Sequence, residues 1–203
     1  MKKINLYGGG GHCFAVVALI RSLGEYRPQV IFDDAPKQDN ILEVPLRKYS
    51  NEELSSEPLF ITVGNNGVRK RIASTFDTEF PTFIHPSVVT YPSASIGMGS
   101  VVLPNAVIDA GVKIGDFCIV NNNATVSHNV HLHNYVHIAI QAAITGGVTI
   151  GEGSFIGSGA IILPEITIGK WAVIGAGSVV TKNVPDGAVV YGNPAKIIKY
   201  NRI

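Results

Sequence analysis

The sequence from residue 96 to residue 131 divides into six-residue units that read IGMGSV, VLPNAV, IDAGVK, IGDFCI, VNNNAT and VSHNVH. An aliphatic residue opens each unit, and this spacing continues without a break from Ile96 to Val180. A second small or aliphatic residue follows four positions later, from Ser100 to Val184. A period of six fits neither an α-helix nor the simple alternation of a strand. It is typical of a parallel β-helix in which three units complete one triangular coil, and we expect about five coils stacked at roughly 4.8 Å.

The bulk composition limits the classes of function. The formal net charge of the 203-residue chain is +1, and charged residues make up 15% of it. This balance argues against broad electrostatic binding to nucleic acid or to an anionic membrane. The first residues run directly into a strand without a signal-peptide pattern, and Cys13 and Cys118 do not form a disulfide framework. We therefore expect a cytoplasmic protein.

The segment before the repeat alternates strands and helices. The predicted elements are strands at residues 3–8, 29–32 and 59–63 and helices at residues 14–23 and 68–76. Strand, glycine-rich turn, helix, strand is a βαβ unit with parallel strands. We therefore predict a Rossmann-like α/β domain at residues 1–82 and a parallel β-helix at residues 83–203. Ligands of such α/β units bind beyond the carboxyl ends of the strands, where all three following loops are expected to lie.

Those loops carry candidate ligand-binding residues. The Gly8–Gly11 run would let the backbone approach a diphosphate and would direct a helix N-terminus at its charge. A turn that binds no ligand would not require the entropy cost of four glycines, so we favour phosphate binding. The run is not a complete dinucleotide fingerprint, because Cys13 stands where the third glycine should be. Asp33 and Asp34 could accept hydrogen bonds from a ribose or a base, and they could equally form a solvated strand end.

Four of the six histidines fall between residues 128 and 137. Such a cluster admits a zinc site, which needs three converging ligands, or a general base, which needs one imidazole. The repeat places His128 at a corner of the triangle and His137 on a flat side, roughly 10–15 Å away within one chain. A site that uses both would lie between neighbouring subunits. We expect His131 and His133 to be solvated surface residues.

The chain resembles the bacterial sugar acyltransferases of the left-handed β-helix superfamily. More narrowly, it is similar to the nucleotide-amino-sugar N-acetyltransferases of the bacillosamine and perosamine type and to their sialic acid O-acetyltransferase relatives. The resemblance covers nearly the whole length and rests on YGGGGH at 7–12, FDD at 32–34, VGNNGVRK at 63–70, residues 121–137, IGAGSVV at 174–180 and GNPAK at 192–196. It implies a left-handed β-helix, a homotrimer and acetyl-CoA as cosubstrate. The last two segments are common to many hexapeptide acyltransferases, so the N-terminal domain is the more specific part.

The resemblance also implies roles for individual residues. His128 would be the general base that removes a proton from the sugar amine, with Asn121 and Asn129 as its catalytic neighbours. Acetyl-CoA would be bound by His137, Gly146, Ser158 and Ala176. The nucleotide-linked sugar would be held by Gly10, Gly11, His12, Asp33, Asp34 and Gly64. No metal site is predicted.

Two features depart from the family pattern. The Gly8–Gly11 run replaces a more usual Gly-Ala-Ser-Gly turn, so a side-chain hydroxyl that could contact phosphate is missing. Asn129 stands where relatives usually carry an acidic residue. A carboxylate beside an imidazole favours the imidazolium, whereas an amide can only orient the ring. We predict direct acetyl transfer to the 4-amino group of a nucleotide-linked 4-amino-4,6-dideoxy sugar. The alternatives are O-acetylation of a sugar or sialic acid, a zinc-dependent hydratase of the carbonic anhydrase type and a catalytically weak scaffold.

Overall fold

The computed structural model describes residues 1–50 and 57–201 of the chain. Contacts between residues divide it into two compact units, Met1–Phe83 and the residues from Ile84 onward. The first unit contains β1 (Lys2–Tyr7), α1 (Gly11–Leu23), β2 (Tyr26–Asp33), β3 (Asn40–Ile41), β4 (Val44–Lys48), β5 (Leu59–Ile61) and α2 (Asn66–Ala73). Among the described residues, no helix is long and apolar enough to span a membrane.

The first unit is built on one sheet with the strand order β3-β4-β2-β1-β5. Strand β1 pairs in parallel with both β2 and β5, and β2 pairs in parallel with β4. Central strands of a parallel sheet are covered on both faces, and four consecutive residues of β1, from Ile4 to Tyr7, are accordingly buried. The predicted parallel βαβ unit is confirmed.

Several details of this unit differ from the sequence-based expectation. Strand β2 begins at Tyr26 rather than at residue 29, and α2 spans Asn66–Ala73 rather than residues 68–76. Helix α1 begins at Gly11 rather than at residue 14, because the last glycine of the run already belongs to the first helical turn. Strands β3 and β4 were not predicted. They form a short antiparallel hairpin in which Val44 and Leu46 are buried on either side of Pro45, and so brief an alternation is a weak signal.

The remaining strands form the β-helix. They are β6 (Phe83–Ile84), β7 (Val89–Thr90), β8 (Ser95–Ile96), β9 (Val101–Val102), β10 (Val107–Ile108), β11 (Lys113–Ile114), β12 (Ile119–Val120), β13 (Thr125–Val126), β14 (His131–Leu132), β15 (His137–Ile138), β16 (Ala143–Ile144), β17 (Thr149–Ile150), β18 (Phe155–Ile156), β19 (Ile161–Ile162), β20 (Thr167–Ile168), β21 (Val173–Ile174), β22 (Val179–Val180), β23 (Ala188–Gly192) and β24 (Ala195–Tyr200).

From β6 to β22, every third strand stacks in parallel on the same face of the triangle, and at the end of the third face β23 pairs in parallel with β21 while β24 pairs antiparallel with β23. The first face contains β7, β10, β13, β16, β19 and β22, the second contains β8, β11, β14, β17 and β20, and the third contains β6, β9, β12, β15, β18, β21, β23 and β24. The second residue of each short strand from β9 to β22 is buried, and Val126, Leu132 and Ile138 have no solvent exposure. The six-residue period therefore predicted the β-helix and its core correctly.

The corners of the β-helix share one backbone feature. The fourth residue of every six-residue unit, from Gly99 to Gly177, has a positive φ. Glycine and asparagine adopt this left-handed conformation most readily, and Asn105, Asn123 and Asn129 occupy three of these positions. Asn129 therefore has a structural role in its turn, whatever its role in chemistry.

Candidate functional site

A pocket of about 490 Å³ lies at the carboxyl ends of β1, β2 and β5 in the first unit. All six residues predicted to hold the nucleotide-linked sugar line this pocket. They are Gly10, Gly11, His12, Asp33, Asp34 and Gly64, and they are joined there by Tyr7, Gly8, Thr62, Val63, Val68 and Ile72. The structure thus brings the three predicted loops together, while the ligand that they bind stays a prediction.

The glycines at positions 8, 10 and 11 differ in whether the fold itself requires a glycine there. Gly8 has a φ of +115°, and a Cβ there would lie 2.4 Å from Cγ2 of Val63, so only glycine fits. Gly10 is extended, with a φ of −82°, and a Cβ on Gly10 or Gly11 would have no atom within 4 Å. Neither the backbone nor the packing of this chain explains glycine at these two positions. Open space beside them suits the close approach of a ligand to the backbone.

The two predicted aspartates, Asp33 and Asp34, form different hydrogen bonds. The Asp33 carboxylate accepts hydrogen bonds from the backbone N–H of Gly9 at 2.6 Å and of Ala35 at 2.8 Å, and it thereby fixes the glycine turn. Asp34 is exposed and accepts a hydrogen bond from the Tyr7 hydroxyl. Burial, together with this bond, raises the pKa of Tyr7. Because the other Asp34 oxygen has no partner among the described residues, Asp34 is the better candidate for direct ligand contact.

Arg69 was not identified from the sequence as a site residue. Its side chain is only 1% exposed, and its guanidinium donates to the carbonyls of Val63 at 3.0 Å and Gly64 at 3.2 Å and to Oδ1 of Asn66 at 2.8 Å. These bonds fix the loop that follows β5. In the sequence, an arginine within a basic helix is more simply interpreted as solvated, so nothing local signals its burial.

The lining of the pocket combines the carboxylates of Asp33 and Asp34 with the start of helix α1. Burial, reinforced by the charge of Arg69, lowers the pKa of His12 to about 4, so this imidazole is neutral at pH 7. Helix α1 begins at the pocket without a side-chain cap and without an acidic residue in its first turn. Uncapped N–H groups at a helix start favour an anionic ligand.

In the second unit, the exposed His128 lies in the turn between β13 and β14. Nδ1 of its ring is 3.3 Å from the side-chain nitrogen of Asn129. The other contact is with Gly146 in the next coil, where an added Cβ would lie 2.4 Å from Cε1 of His128. The ring is therefore held between the amide of Asn129 and the backbone of Gly146.

The contact with Asn129 determines which nitrogen of His128 can accept a proton. If the amide N–H faces Nδ1, the ring proton resides on Nε2; if the amide oxygen faces it, Nδ1 carries the proton and Nε2 is free to act as a base. The two amide orientations differ only in the assignment of oxygen and nitrogen. An asparagine is compatible with both tautomers, whereas a carboxylate would enforce the second.

The other predicted residues of the β-helix lie apart from His128 within one chain. Asn121 precedes β13, where its side chain accepts from the backbone N–H of Asn122 at 2.9 Å. His137 is the first residue of β15 on the third face and is half-buried. Its ring packs edge-on against that of Phe155, with the ring centroids 5.1 Å apart. Ser158 and Ala176 are both exposed, and they occupy the same turn position in two successive coils.

The remaining histidines and cysteines have plain environments. His131 and His133 are exposed and stack on each other with ring centroids 4.4 Å apart. Both cysteines are buried, and burial raises the pKa of the Cys13 thiol to about 11. Within the described ranges, no three His, Cys, Asp or Glu side chains are grouped so that they could hold a metal ion.

Comparison with known families matches each unit separately. The PglD N-terminal domain family matches residues 3–76, and the bacterial transferase hexapeptide (six repeats) family matches residues 93–128 and 147–182. UDP-N-acetylbacillosamine N-acetyltransferase from Bacillus subtilis is 36% identical over 112 residues, which are 51% of this chain and 52% of that protein. The chain thus aligns with about half the length of this relative.

Solved structures match nearly the whole chain. A variant of perosamine N-acetyltransferase from Caulobacter crescentus, with one histidine replaced by asparagine and with CoA and GDP-perosamine bound, is 33% identical over 98% of each chain with a TM-score of 0.91. The acetyltransferase domain of PglB from Neisseria gonorrhoeae in complex with acetyl coenzyme A is 39% identical over 97% of this chain and 99% of that chain, also with a TM-score of 0.91. As its motifs indicated, the chain belongs to the family of nucleotide-amino-sugar N-acetyltransferases that join a PglD-type N-terminal domain to a left-handed β-helix.

Proposed function

We propose that the protein transfers the acetyl group of acetyl-CoA to the 4-amino group of a nucleotide-linked 4-amino-4,6-dideoxy sugar. Membership of the family makes the chain an acetyltransferase with acetyl-CoA as its cosubstrate. The observation that carries the sugar-nucleotide part is the pocket of the first unit, which gathers all six predicted loop residues. Its open glycines and its uncapped helix start suit the diphosphate of such a substrate.

In the proposed mechanism, His128 takes a proton from the sugar amine as the nitrogen attacks the thioester carbonyl. The new N–C bond forms, the C–S bond breaks, and the CoA thiolate leaves and takes up the proton that His128 removed from the amine. The backbone N–H of Gly146 has no acceptor among the described residues and would donate to the carbonyl oxygen. Transfer is direct, because Cys13 and Cys118 are both buried and neither can serve as an acyl carrier.

The outward side chains of the β-helix favour assembly through its first face. Along the first face the outward residues are Val89, Val107, Thr125, Ala143, Ile161 and Val179, and along the second they are Ser95, Lys113, His131, Thr149 and Thr167. The first set is mostly apolar and the second is entirely polar, so of these two faces the first is the one suited to burial against a neighbouring subunit. We propose a homotrimer with acetyl-CoA between adjacent β-helices, where His137, Gly146, Ser158 and Ala176 would line its path.

The mass in solution tests the assembly. Sedimentation at micromolar concentration should give three copies of the chain. A stable monomer with full activity would contradict the trimer, because His128 and His137 lie on different parts of one β-helix. The cytoplasmic location and the division into a nucleotide-sugar domain at 1–82 and an acyltransferase domain at 83–203 stay predictions.

Release of the free CoA thiol tests the reaction. The assay uses UDP-, GDP- and dTDP-linked 4-amino-4,6-dideoxy sugars, each paired with its 4-hydroxy analogue. Thiol release with one amino sugar and none with its hydroxy analogue is expected, whereas release with the hydroxy analogue would indicate O-acetylation. His128→Ala should lower turnover about 10²–10⁴-fold with little change in KM for acetyl-CoA. His131→Ala, which alters an exposed histidine of the same cluster, should change little; a fully active His128→Ala variant would exclude this base.

A further inference from the structure

We infer that Gly146 is a positioning residue for His128, and that its lack of a side chain fixes where the imidazole lies. The inference rests on the proposed role of His128 as general base. Strands β13 and β16 pair with Val126 opposite Ile144, so the turns that follow them are stacked in adjacent coils. The residue two positions past each strand is then His128 in one coil and Gly146 in the next.

The backbone does not require glycine at position 146. The same turn position in four successive coils is occupied by Ala110, His128, Gly146 and Pro164, and three of these carry side chains. Gly146 is not among the residues with a positive φ. Local conformation therefore does not explain why this one coil has a glycine here.

The imidazole of His128 occupies the space that a side chain at position 146 would need. The three atoms nearest to an added Cβ all belong to this ring, with Cε1 at 2.4 Å, Nε2 at 2.5 Å and Nδ1 at 3.1 Å. Carbon atoms in contact lie about 3.5–4.0 Å apart, so a methyl group would drive the ring away by about 1 Å. Nε2, the atom that would accept the proton, is among the atoms displaced.

The ring, rather than the coil, would yield. His128 is an exposed side chain, and a rotation about its own bonds relieves the overlap. The backbone before Gly146 is anchored, because the Thr145 hydroxyl donates to the carbonyl of Ile162 at 2.6 Å. We therefore expect Gly146→Ala to keep the fold and to misplace the base.

Gly146→Ala tests this directly. A displacement of about 1 Å should lower kcat on the order of 10²-fold, while the thermal midpoint and KM for acetyl-CoA stay near those of the wild type. The Cε1–H resonance of His128, assigned by its loss in His128→Ala, should shift in the variant without any substrate present. Pro164→Ala is the control, since it changes the same turn position two coils from His128 and should alter neither turnover nor this resonance.

A double variant separates displacement of His128 from a direct effect on acetyl-CoA. If Gly146 acts through the ring, adding Gly146→Ala to His128→Ala should lower the residual turnover no further. A further loss, an unchanged resonance, undiminished turnover or an unfolded Gly146→Ala protein would each overturn the inference. If the wild type releases no thiol with any amino sugar while the resonance still shifts, the proposed function fails and the positioning of the ring by Gly146 stands.

Discussion

Acidification should destabilise the first unit through His12. The pKa of His12 is lowered from 6.5 to about 4 in the folded chain, chiefly by burial and then by the charge of Arg69. The unfolded chain therefore binds this proton more readily than the folded chain. The stabilising contribution is complete above pH 6.5 and is lost as the pH falls from 6.5 towards 4. A difference of about 2.5 pKa units corresponds to about 3.4 kcal/mol in full, and about 2 kcal/mol of it should be lost at pH 5.

The two units offer separate optical probes for this test. Helices α1 and α2 belong to the first unit, so the ellipticity at 222 nm during urea unfolding reports on it. Trp171 is the single tryptophan and lies in the β-helix, so its fluorescence reports on the second unit. Between pH 7 and pH 5 the free energy of unfolding from ellipticity should fall by up to about 2 kcal/mol, because His12 retains some exposure.

His12→Gln isolates the contribution of the imidazole. Glutamine keeps a polar side chain at the pocket but cannot titrate, so the decline between pH 7 and pH 5 should be much smaller in this variant. His133→Gln replaces an exposed histidine of the second unit and should follow the wild type at 222 nm. Equal declines in His12→Gln and the wild type would refute the assignment of this pH dependence to His12.

Further predictions concern the pocket and the base. Gly10→Ala should keep the stability of the fold, because its Cβ meets no atom within 4 Å. If the diphosphate contacts this backbone, the variant should raise KM for the nucleotide sugar roughly tenfold or more. An unchanged KM would show that Gly10 is not part of the site. Gly8→Ala should instead destabilise the fold by roughly 1 kcal/mol or more, because it combines a φ of +115° with a clash against Val63. Asn129→Asp should move the acid limb of kcat/KM to higher pH, since a carboxylate favours the imidazolium; an unmoved limb would mean that residue 129 does not act on the ring.

The β-helix was predictable because its period is imposed by the backbone. Each six-residue unit must return two side chains to the core, so the aliphatic series from Ile96 to Val180 and the second series four positions later specify the inward positions directly. The left-handed corner positions were not visible in the same way. Phe117, Tyr135 and Trp171 occupy them with positive φ, and these residue types carry no signal for that conformation.

The grouping of the pocket residues could be predicted from the strand topology, but the buried contacts that hold the pocket loops in place could not. Parallel strands bring their carboxyl ends to one edge, so Gly10, Asp34 and Gly64 could be grouped before the structure was known. The burial of Arg69 depends on carbonyl acceptors that exist only once the loop after β5 has folded. The different fates of Asp33 and Asp34 likewise follow from a hydrogen bond to Gly9, which the residue types do not reveal.

Asn129 links the shape of the turn to the chemistry of the base. Position 129 must adopt a φ of +58° and place a polar atom near Nδ1 of His128, and asparagine satisfies both requirements. Compared with a site that has an acidic residue at position 129, this site keeps the geometry of the turn but lacks the negative charge beside His128. The amide can hold the tautomer that leaves Nε2 free, but it cannot stabilise the imidazolium that forms when the proton is taken. A base in this setting is most effective towards an amine that is already neutral when it binds. As the sugar amine becomes protonated, the rate should therefore fall more steeply than it would in an otherwise identical site with Asp at position 129.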